Sequence, residues 1–223
     1  MALRFALSNQ GAAPVSPAVD AGWEQTAVTR YLMLPKYRCV SAVALANAGA
    51  VTVPITTTQD IVGFQFVGPP MLARRLTGTF SLVVRVFENA TTNNVTLAVV
   101  AKIVSIDGGT VRGTIFSTFN TGTEFPTSGS AATRIVAAQA ITALTTKTGD
   151  RLVVEIGGHA ASPSAAGSYT MRFGNPAGTA DFARTAALTT DLCPWCELSD
   201  DPDLGRGNYA ATGYGSLAGE RIR

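Results

Sequence analysis

The chain consists of short runs of β-branched and aromatic residues separated by clusters of glycine, asparagine, aspartate and proline. Three runs are the clearest: Thr79–Phe87, Val95–Ile106 and Arg151–Ile156. Such residues fit the pleated surface of a sheet, and the clusters between them are typical of turns. No convincing amphipathic helix separates the runs, so parallel β-α-β winding is not expected. The sequence predicts an all-β fold, an antiparallel sandwich of two sheets for which a jelly roll fits best.

Several finer expectations follow from individual segments. The alternation in Asp60–Val67 predicts a half-buried strand, and Pro54 predicts an edge or a bulge in the strand that contains it. Asn89–Asn94 has the composition of a hairpin or short loop, and the alanine-rich Thr133–Leu144 favours a strand over a helix. Further strands are expected at Leu3–Leu7, Arg30–Leu34, Cys39–Ala44, Val51–Thr57, Val111–Phe119, Ser168–Phe173 and Leu192–Leu198.

The composition favours a subunit of an assembly. Charged residues make up 14% of the chain, whereas about 25% is typical of soluble domains. A surface so poor in charge is covered either by uncharged polar residues or by other protein molecules, and it permits close packing with neighbours. We therefore expect a homo-oligomer.

Nucleic acid and membrane are not expected partners. The net charge is only +2, and Arg74-Arg75 is the single adjacent basic pair. No window approaches the ~20 apolar residues that a membrane span requires, and the first residues do not form a signal peptide. Synthesis in the cytoplasm is the expectation.

The amino-acid composition changes after Leu198. Ser199–Arg223 is rich in glycine and holds almost no aliphatic residues, so it cannot bury enough apolar surface to fold alone. The prediction is a β-sandwich domain at 1–199 and an extended C-terminal assembly arm at 200–223, although folding of the arm back onto its own domain stays open. The expected interface residues of the arm are Arg206, Tyr209, Tyr214, Arg221 and Arg223.

Candidate metal and redox chemistry is sparse. Zinc has four candidate ligands in Cys39, His159, Cys193 and Cys196, and the last two cysteines also form a CxxC pair. The pair lies in an apparent strand instead of at a helix N-terminus, which argues against redox chemistry. We expect ordinary thiols and no cofactor. Asp200, Asp201 and Asp203 lack the spacing of a calcium loop and are interpreted as a solvated linker with interface salt bridges.

The prediction is a non-enzymatic protein, because the chain has one histidine and no assignable nucleophile. Nothing in the spacing marks two of the carboxylates as facing each other: Glu24, Glu88, Glu124, Asp150 and Glu155. A hydrolase would instead place His159 near the cysteines or near two carboxylates. Trp23, Tyr169 and Trp195 could form a platform for sugar stacking, which requires Trp23 or Tyr169 at the surface; packing in a core or interface is the alternative.

Several segments together resemble a group of virion structural proteins of tailed bacteriophages and prophages. The opening residues, with a GAAPVSPA-like loop and the pair Trp23-Glu24, resemble the start of those proteins. Further similar segments follow in the same order: Gly149–Gly157, Met171–Gly174, Gly178–Asp181 and Pro194–Leu198. The similarity spans about residues 1–199. The family pattern has an aliphatic residue at the position of Cys196, and the extension Ser199–Arg223 departs from it.

The resemblance implies a virion component, and we expect a structural subunit present in many copies. A location in the tail or baseplate is favoured, with a head decoration (cement) protein as the close alternative. The expected partners are other virion proteins and further copies of the chain. A carbohydrate-binding adhesin domain that recognises a host-surface glycan is the alternative from a different class.

Overall fold

The computed structural model describes residues 2–25, 27–35, 50–55, 59–127, 132–163, 167–173 and 194–204. All regular secondary structure in these ranges is β-strand, and they contain no helix long and apolar enough to cross a membrane. The all-β prediction is confirmed. The strands are β1 (Leu3–Ala12), β2 (Thr29–Pro35), β3 (Ala50–Pro54), β4 (Asp60–Pro70), β5 (Arg75–Leu76), β6 (Thr79–Glu88), β7 (Val95–Val104), β8 (Val111–Thr118), β9 (Ala132–Ala140), β10 (Leu144–Thr145), β11 (Arg151–Ala160), β12 (Ser168–Arg172) and β13 (Trp195–Leu198).

The strand order is that of the predicted jelly roll. One sheet contains β1, β13, β6 and β9 in that order, and the other contains β4, β11, β7 and β8. Each sheet alternates strands from early and late parts of the chain, as the two Greek keys of a jelly roll require. The remaining short strands β5 and β10 form a separate two-stranded sheet.

One pair of strands departs from the predicted antiparallel pattern. β2 lies between β1 and β4 and joins the two sheets along one side; it runs antiparallel to β1 and parallel to β4. Parallel neighbours need a long crossover connection, and the chain between Pro35 and Asp60 is long enough to supply one. The strand pairing therefore includes one parallel pair, β2 with β4, among antiparallel ones.

The last strand of the jelly roll is divided in two. β12 pairs with Arg85–Glu88 of β6, and β13 pairs with Phe80–Val83 of the same strand, in the same direction. The two pieces thus occupy successive stretches along one side of β6. Residues 174–193 connect them and lie outside the described residues. β3 pairs with the other side of β12 and ends the strand order, so Pro54 lies in an edge strand as predicted.

A single hydrophobic core fills the space between the sheets. The Phe80 ring of β6 stacks on the Phe116 ring of β8 with centroids 5.3 Å apart, although these strands belong to opposite sheets. The Tyr169 hydroxyl of β12 donates a hydrogen bond of 3.2 Å to the carbonyl of Ile61 in β4. Each buried large apolar side chain stabilises the fold by about 1.5–3 kcal/mol relative to exposure. Such contacts hold the two layers together.

The second sheet is also covered on its outer face. The prediction of a half-buried β4 is wrong, because all residues from Ile61 to Gly68 are buried. The loop at 13–25 lies across β4, β11 and β7 and shields their outer side chains from water. Two apolar clusters fasten it: one contains Trp23, Val62, Ala98 and Val100, and the other contains Val67, Val104 and Val153 with Ala13 and Val15.

The loop at Asn89–Asn94 and the alanine-rich segment test two of the finer expectations. Asn89–Asn94 is a short loop, but the hairpin interpretation is wrong, because β6 and β7 lie in different sheets and do not pair. The loop crosses the end of the sandwich instead. The choice of strand over helix for the alanine-rich segment is confirmed by β9, which pairs with β6.

Residues 199–204 pack on the sandwich. The Asp200 carboxylate forms an ion pair of 2.6 Å with Arg74, and the backbone N–H of Leu72 donates to the carbonyl of Asp203. Leu204 is only 4% exposed and belongs to the core. The boundary predicted after residue 199 therefore falls inside a segment that contacts the domain, and Asp200 is engaged within the chain.

We expect Gly157→Ala to destabilise the protein by about 1–3 kcal/mol. A Cβ atom at Gly157 would collide with the carbonyl oxygen of Ile61 and lie 2.7 Å from the Trp23 ring, which the loop at 13–25 needs for its attachment. Urea unfolding measures the loss. Gly109→Ala is the matched control, because its Cβ would meet only ordinary contacts with Asp107. Equal stability of the two variants would contradict the close packing inferred at Gly157.

Candidate functional site

The predicted zinc ligands do not come together in the described part of the chain. Cys39 and Cys193 lie outside it. Cys196 is buried in the core between the sheets, and burial raises the pKa of its thiol. His159 lies near the end of β11 on the outer face of the second sheet, so the sheet separates it from Cys196. Among the described residues, no group of three or more His, Cys, Asp or Glu side chains is placed to hold a metal ion.

The three aromatic residues proposed as a sugar platform are buried. Trp23, Tyr169 and Trp195 are 4%, 2% and 4% exposed. Trp23 belongs to the covering loop and packs against the outer face of the second sheet, whereas Tyr169 lies in the core between the sheets. Trp195 packs against the Arg4 guanidinium, whose central carbon lies 3.9 Å from the ring centroid. The exposed surface expected at Trp23 or Tyr169 is therefore absent, because both rings are used for packing.

The predicted interface residues of the arm, Arg206, Tyr209, Tyr214, Arg221 and Arg223, lie outside the described residues. Their role stays a prediction.

A buried polar cluster lies at the centre of the covered outer face. Side chains alternate along a strand, so Gln65 of β4, Glu155 of β11 and Lys102 of β7 point to the same side in neighbouring strands. All three residues are 0% exposed. The Lys102 ammonium lies 2.6 Å from one Glu155 carboxylate oxygen, and the Gln65 amide donates to that oxygen at 2.9 Å. The cluster balances one buried negative charge with one buried positive charge.

The same cluster fastens the covering loop. The Trp23 indole N–H donates to the second Glu155 oxygen at 2.7 Å, and the backbone N–H of Asp20 donates to it at 3.0 Å. The Lys102 ammonium also donates to the carbonyl of Ala18 at 2.7 Å. Each buried polar group therefore finds a partner either in the sheet or in the loop. Both Glu155 oxygens are therefore engaged within the protein, and the contacts observed there attach the loop to the sheet.

The one histidine lies beside two carboxylates at the rim of this face. His159 Nδ1 lies 2.8 Å from an Asp60 carboxylate oxygen, and both side chains are about one-fifth exposed. The Glu24 carboxylate accepts hydrogen bonds from the backbone N–H groups of Gln59 and Asp60, which lower its pKa, and the charge of His159 lowers it further. Thr96 is the next residue across from His159 on β7, but its hydroxyl is buried. This is the geometry that the hydrolase alternative predicted for His159.

The rim arrangement can orient an imidazole, which is one requirement of acid–base chemistry. A hydrolytic site also needs an accessible nucleophile or activated water and a group that stabilises negative charge. The buried Thr96 hydroxyl does not meet the first requirement. The contacts observed at His159, Asp60 and Glu24 join the start of β4 and the end of β11 to the end of the covering loop.

Sequence reasoning missed the role of Lys102 and Glu155. The signal was present, because each is a charged residue in the middle of an apolar strand run, Val95–Ile106 and Arg151–Ile156. Charged residues are rarely fully buried unless they are paired, so two such positions in adjacent strands indicate an ion pair. The pairing itself required the strand order, which the sequence did not supply.

Comparisons with known proteins do not assign a family. No family model and no curated protein matches the chain. Among solved structures, a CocE/NonD family hydrolase from Staphylococcus aureus has a TM-score of 0.43 at 9% identity, covering 68% of this chain and 32% of that one. The VP2 subviral particle of infectious bursal disease virus has a TM-score of 0.29 at 11% identity, covering 69% and 34%. This chain thus spans about a third of the length of either protein. Similarities at this level carry no functional conclusion.

We expect Lys102→Met to destabilise the protein by about 3–5 kcal/mol, because the substitution leaves the Glu155 carboxylate buried without its countercharge. Urea unfolding at neutral pH measures the change. The matched control is Arg112→Met, which removes a cation that is partly exposed and pairs with Asp150 at 3.2 Å. A loss at Lys102 no larger than that at Arg112 would contradict the central role of the buried pair.

Proposed function

We propose that this chain is a non-catalytic structural subunit of a tailed-phage virion, which assembles with further copies of itself and with other virion proteins. The observation that carries the proposal is the edge of the first sheet at β9. Within the described residues β9 pairs only with β6, so no described strand pairs with its other side. Such an edge is a template for pairing with another chain.

The chemistry of β9 supports this interpretation. Proteins that stay monomeric usually protect an edge strand with charged residues or proline. β9 contains one charged residue, Arg134, and no proline, and its last four residues, Ala137–Ala140, are exposed and uncharged. Ile135 is 39% exposed on the same strand. An edge of this composition is compatible with burial against a neighbouring subunit.

The edge is not completely regular. The pairing of β9 with β6 shifts register between Phe80 and Leu82, and Ala138 has a positive φ of 41°. Such a bulge twists the strand, which is one of the ways in which proteins limit unrestricted pairing at an edge. We therefore expect limited pairing along β9 instead of open-ended aggregation.

The sequence resemblance supports a virion location, with the tail or baseplate favoured over a head decoration protein. The C-terminal arm is the second proposed contact. Asp200 and Leu204 fix the start of the arm to the sandwich. An arm that orders against a neighbour adds contact area at a cost in conformational entropy.

Self-assembly is tested by measuring molar mass with light scattering over a concentration series. We expect the full chain to associate and Ile135→Lys to weaken association at least about tenfold, because a charge on an edge strand opposes pairing. Ile106→Lys is the matched control, since Ile106 is also a large exposed apolar residue but lies in the turn after β7. Wild-type association of Ile135→Lys would contradict the β9 interface.

A truncation ending at Leu204 tests the arm separately, because it retains the described fold. Monomeric behaviour of this truncation with normal unfolding would assign association to the arm. A monomeric full chain at every concentration would overturn self-assembly altogether.

A hydrolase is the second candidate, since His159 lies against Asp60 and near Glu24. It predicts turnover of simple esters or glycosides that His159→Gln abolishes without changing the unfolding curve. Absence of turnover with the full chain would remove this candidate.

A further inference from the structure

A short strip of backbone joins the two sheets at one end of the sandwich. The backbone N–H of Glu88, the last residue of β6, donates to the carbonyl of Pro126 at 2.8 Å. The N–H of Phe125 donates to the carbonyl of Val95, the first residue of β7, at 2.6 Å. Because β6 and β7 belong to opposite sheets, the strip Glu124–Thr127 bridges them.

The side chain of Glu88 lies directly under this strip. Glu88 is 0% exposed, and its Oε2 accepts a hydrogen bond of 3.0 Å from the backbone N–H of Val95. Its Oε1 is buried and finds no hydrogen-bond donor among the described residues. Glu124 of the strip pairs with Thr96, the residue after Val95, in an isolated β-bridge, and its carboxyl is near enough to raise the pKa of Glu88. The second oxygen of this buried carboxyl therefore has a carboxyl group nearby and, among the described residues, no hydrogen-bond donor of its own.

Two carboxylates in contact repel each other strongly unless a proton lies between them. A protonated carboxyl supplies the donor that Oε1 otherwise lacks. We propose that Glu88 and Glu124 share one proton, that this proton holds the strip Glu124–Thr127 across the end of the sandwich, and that its loss loosens the strip. The attachment of the strip Glu124–Thr127 to β6 and β7 then depends on pH.

The groups around Glu88 favour placing the proton there. Burial is the main cause that raises the pKa of Glu88, to about 7; the bond from Val95 lowers it, and Glu124 raises it. Arg134 of β9 donates to the backbone carbonyl of Glu124, and the two side chains attract each other. Tyr169, opposite Glu88 on β12, is buried and its pKa is raised, so it adds no negative charge.

The raised pKa of Glu88 determines how the stability of the folded protein changes with pH. The folded protein binds a proton at Glu88 that an unfolded glutamate, with a pKa near 4.5, releases. Protonation therefore contributes stability that is fully present below about 4.5 and is lost as the pH rises through about 7. Most Asp and Glu residues that accept hydrogen bonds as carboxylates act in the opposite direction.

The test is hydrogen exchange of the Val95 and Phe125 amides in the full chain, measured as protection factors across this pH range. In the wild type we expect protection to fall with rising pH, by up to about tenfold per pH unit, the limit for one proton. Glu88→Gln should remove the pH dependence and retain protection at high pH, because an amide donates where the proton did.

Glu124→Gln is the second variant. Glu124 is exposed, so this substitution is expected to fold even if Glu88→Gln does not. It should move the loss of protection to lower pH, because Glu124 raises the pKa of Glu88. An unchanged pH profile in Glu124→Gln, or an unchanged slope in Glu88→Gln, would overturn the shared proton. Protection at high pH that appears only with added Ca²⁺ and disappears with chelator would also overturn it, because a cation would then bridge the carboxylates.

Discussion

The buried ion pair between Lys102 and Glu155 is the contact on which the outer half of the structure depends. A sheet with water on its outer face would expose Val62, Val67 and Val153, and the loop at 13–25 prevents this only if it is fastened. Glu155 supplies the fastening, because its two oxygens accept from both the sheet and the loop. The backbone of the loop bonds to β4 at its end, where the N–H groups of Glu24 and Gln25 donate to the carbonyl of Asp60. Further back, at Ala18 and Asp20, the side chains of Lys102 and Glu155 provide the attachment.

This arrangement has a cost that explains why the two charges are placed together. Removing a carboxylate and an ammonium from water is unfavourable, and only close pairing and full hydrogen bonding offset the desolvation. An apolar replacement of both residues could be as stable, but it would give the loop no directional contact. The charged pair therefore specifies where Asp20 and Trp23 lie on the sheet, which apolar packing alone defines less sharply.

Local sequence patterns predict where the strands lie better than they predict which strands pair with each other. The alternation of β-branched and turn residues placed β6, β7, β9 and β11, because these preferences act within a few residues. The pairing of β6 and β7 through Asn89–Asn94 was wrong, since a short polar loop looks the same whether it makes a hairpin or crosses between sheets. Burial of β4 on both faces depended on a distant loop, which no local alternation encodes.

The candidate sites show the same limit. The sequence offers His159 as a candidate zinc ligand or hydrolase residue, but its partner Asp60 lies 99 residues away and becomes a neighbour only through the pairing of β11 with β4. The sequence indicates only the aromatic surface of Trp23, whereas in the structure its indole N–H also donates a hydrogen bond to Glu155. Side-chain type indicated which residues matter, whereas the strand order decided what each of them contacts.

Two buried glutamates illustrate how the surroundings set the behaviour of one residue type. Glu155 and Glu88 are both 0% exposed, and each accepts a backbone hydrogen bond. Glu155 faces an ammonium in the middle of a sheet, so its negative charge is balanced within the protein. Glu88 faces another carboxyl at the end of a strand, so burial and repulsion favour its protonated form. The first contact ties a loop to the sheet with an ion pair, and the second ties a strip across the sheets with a proton that the solvent can remove.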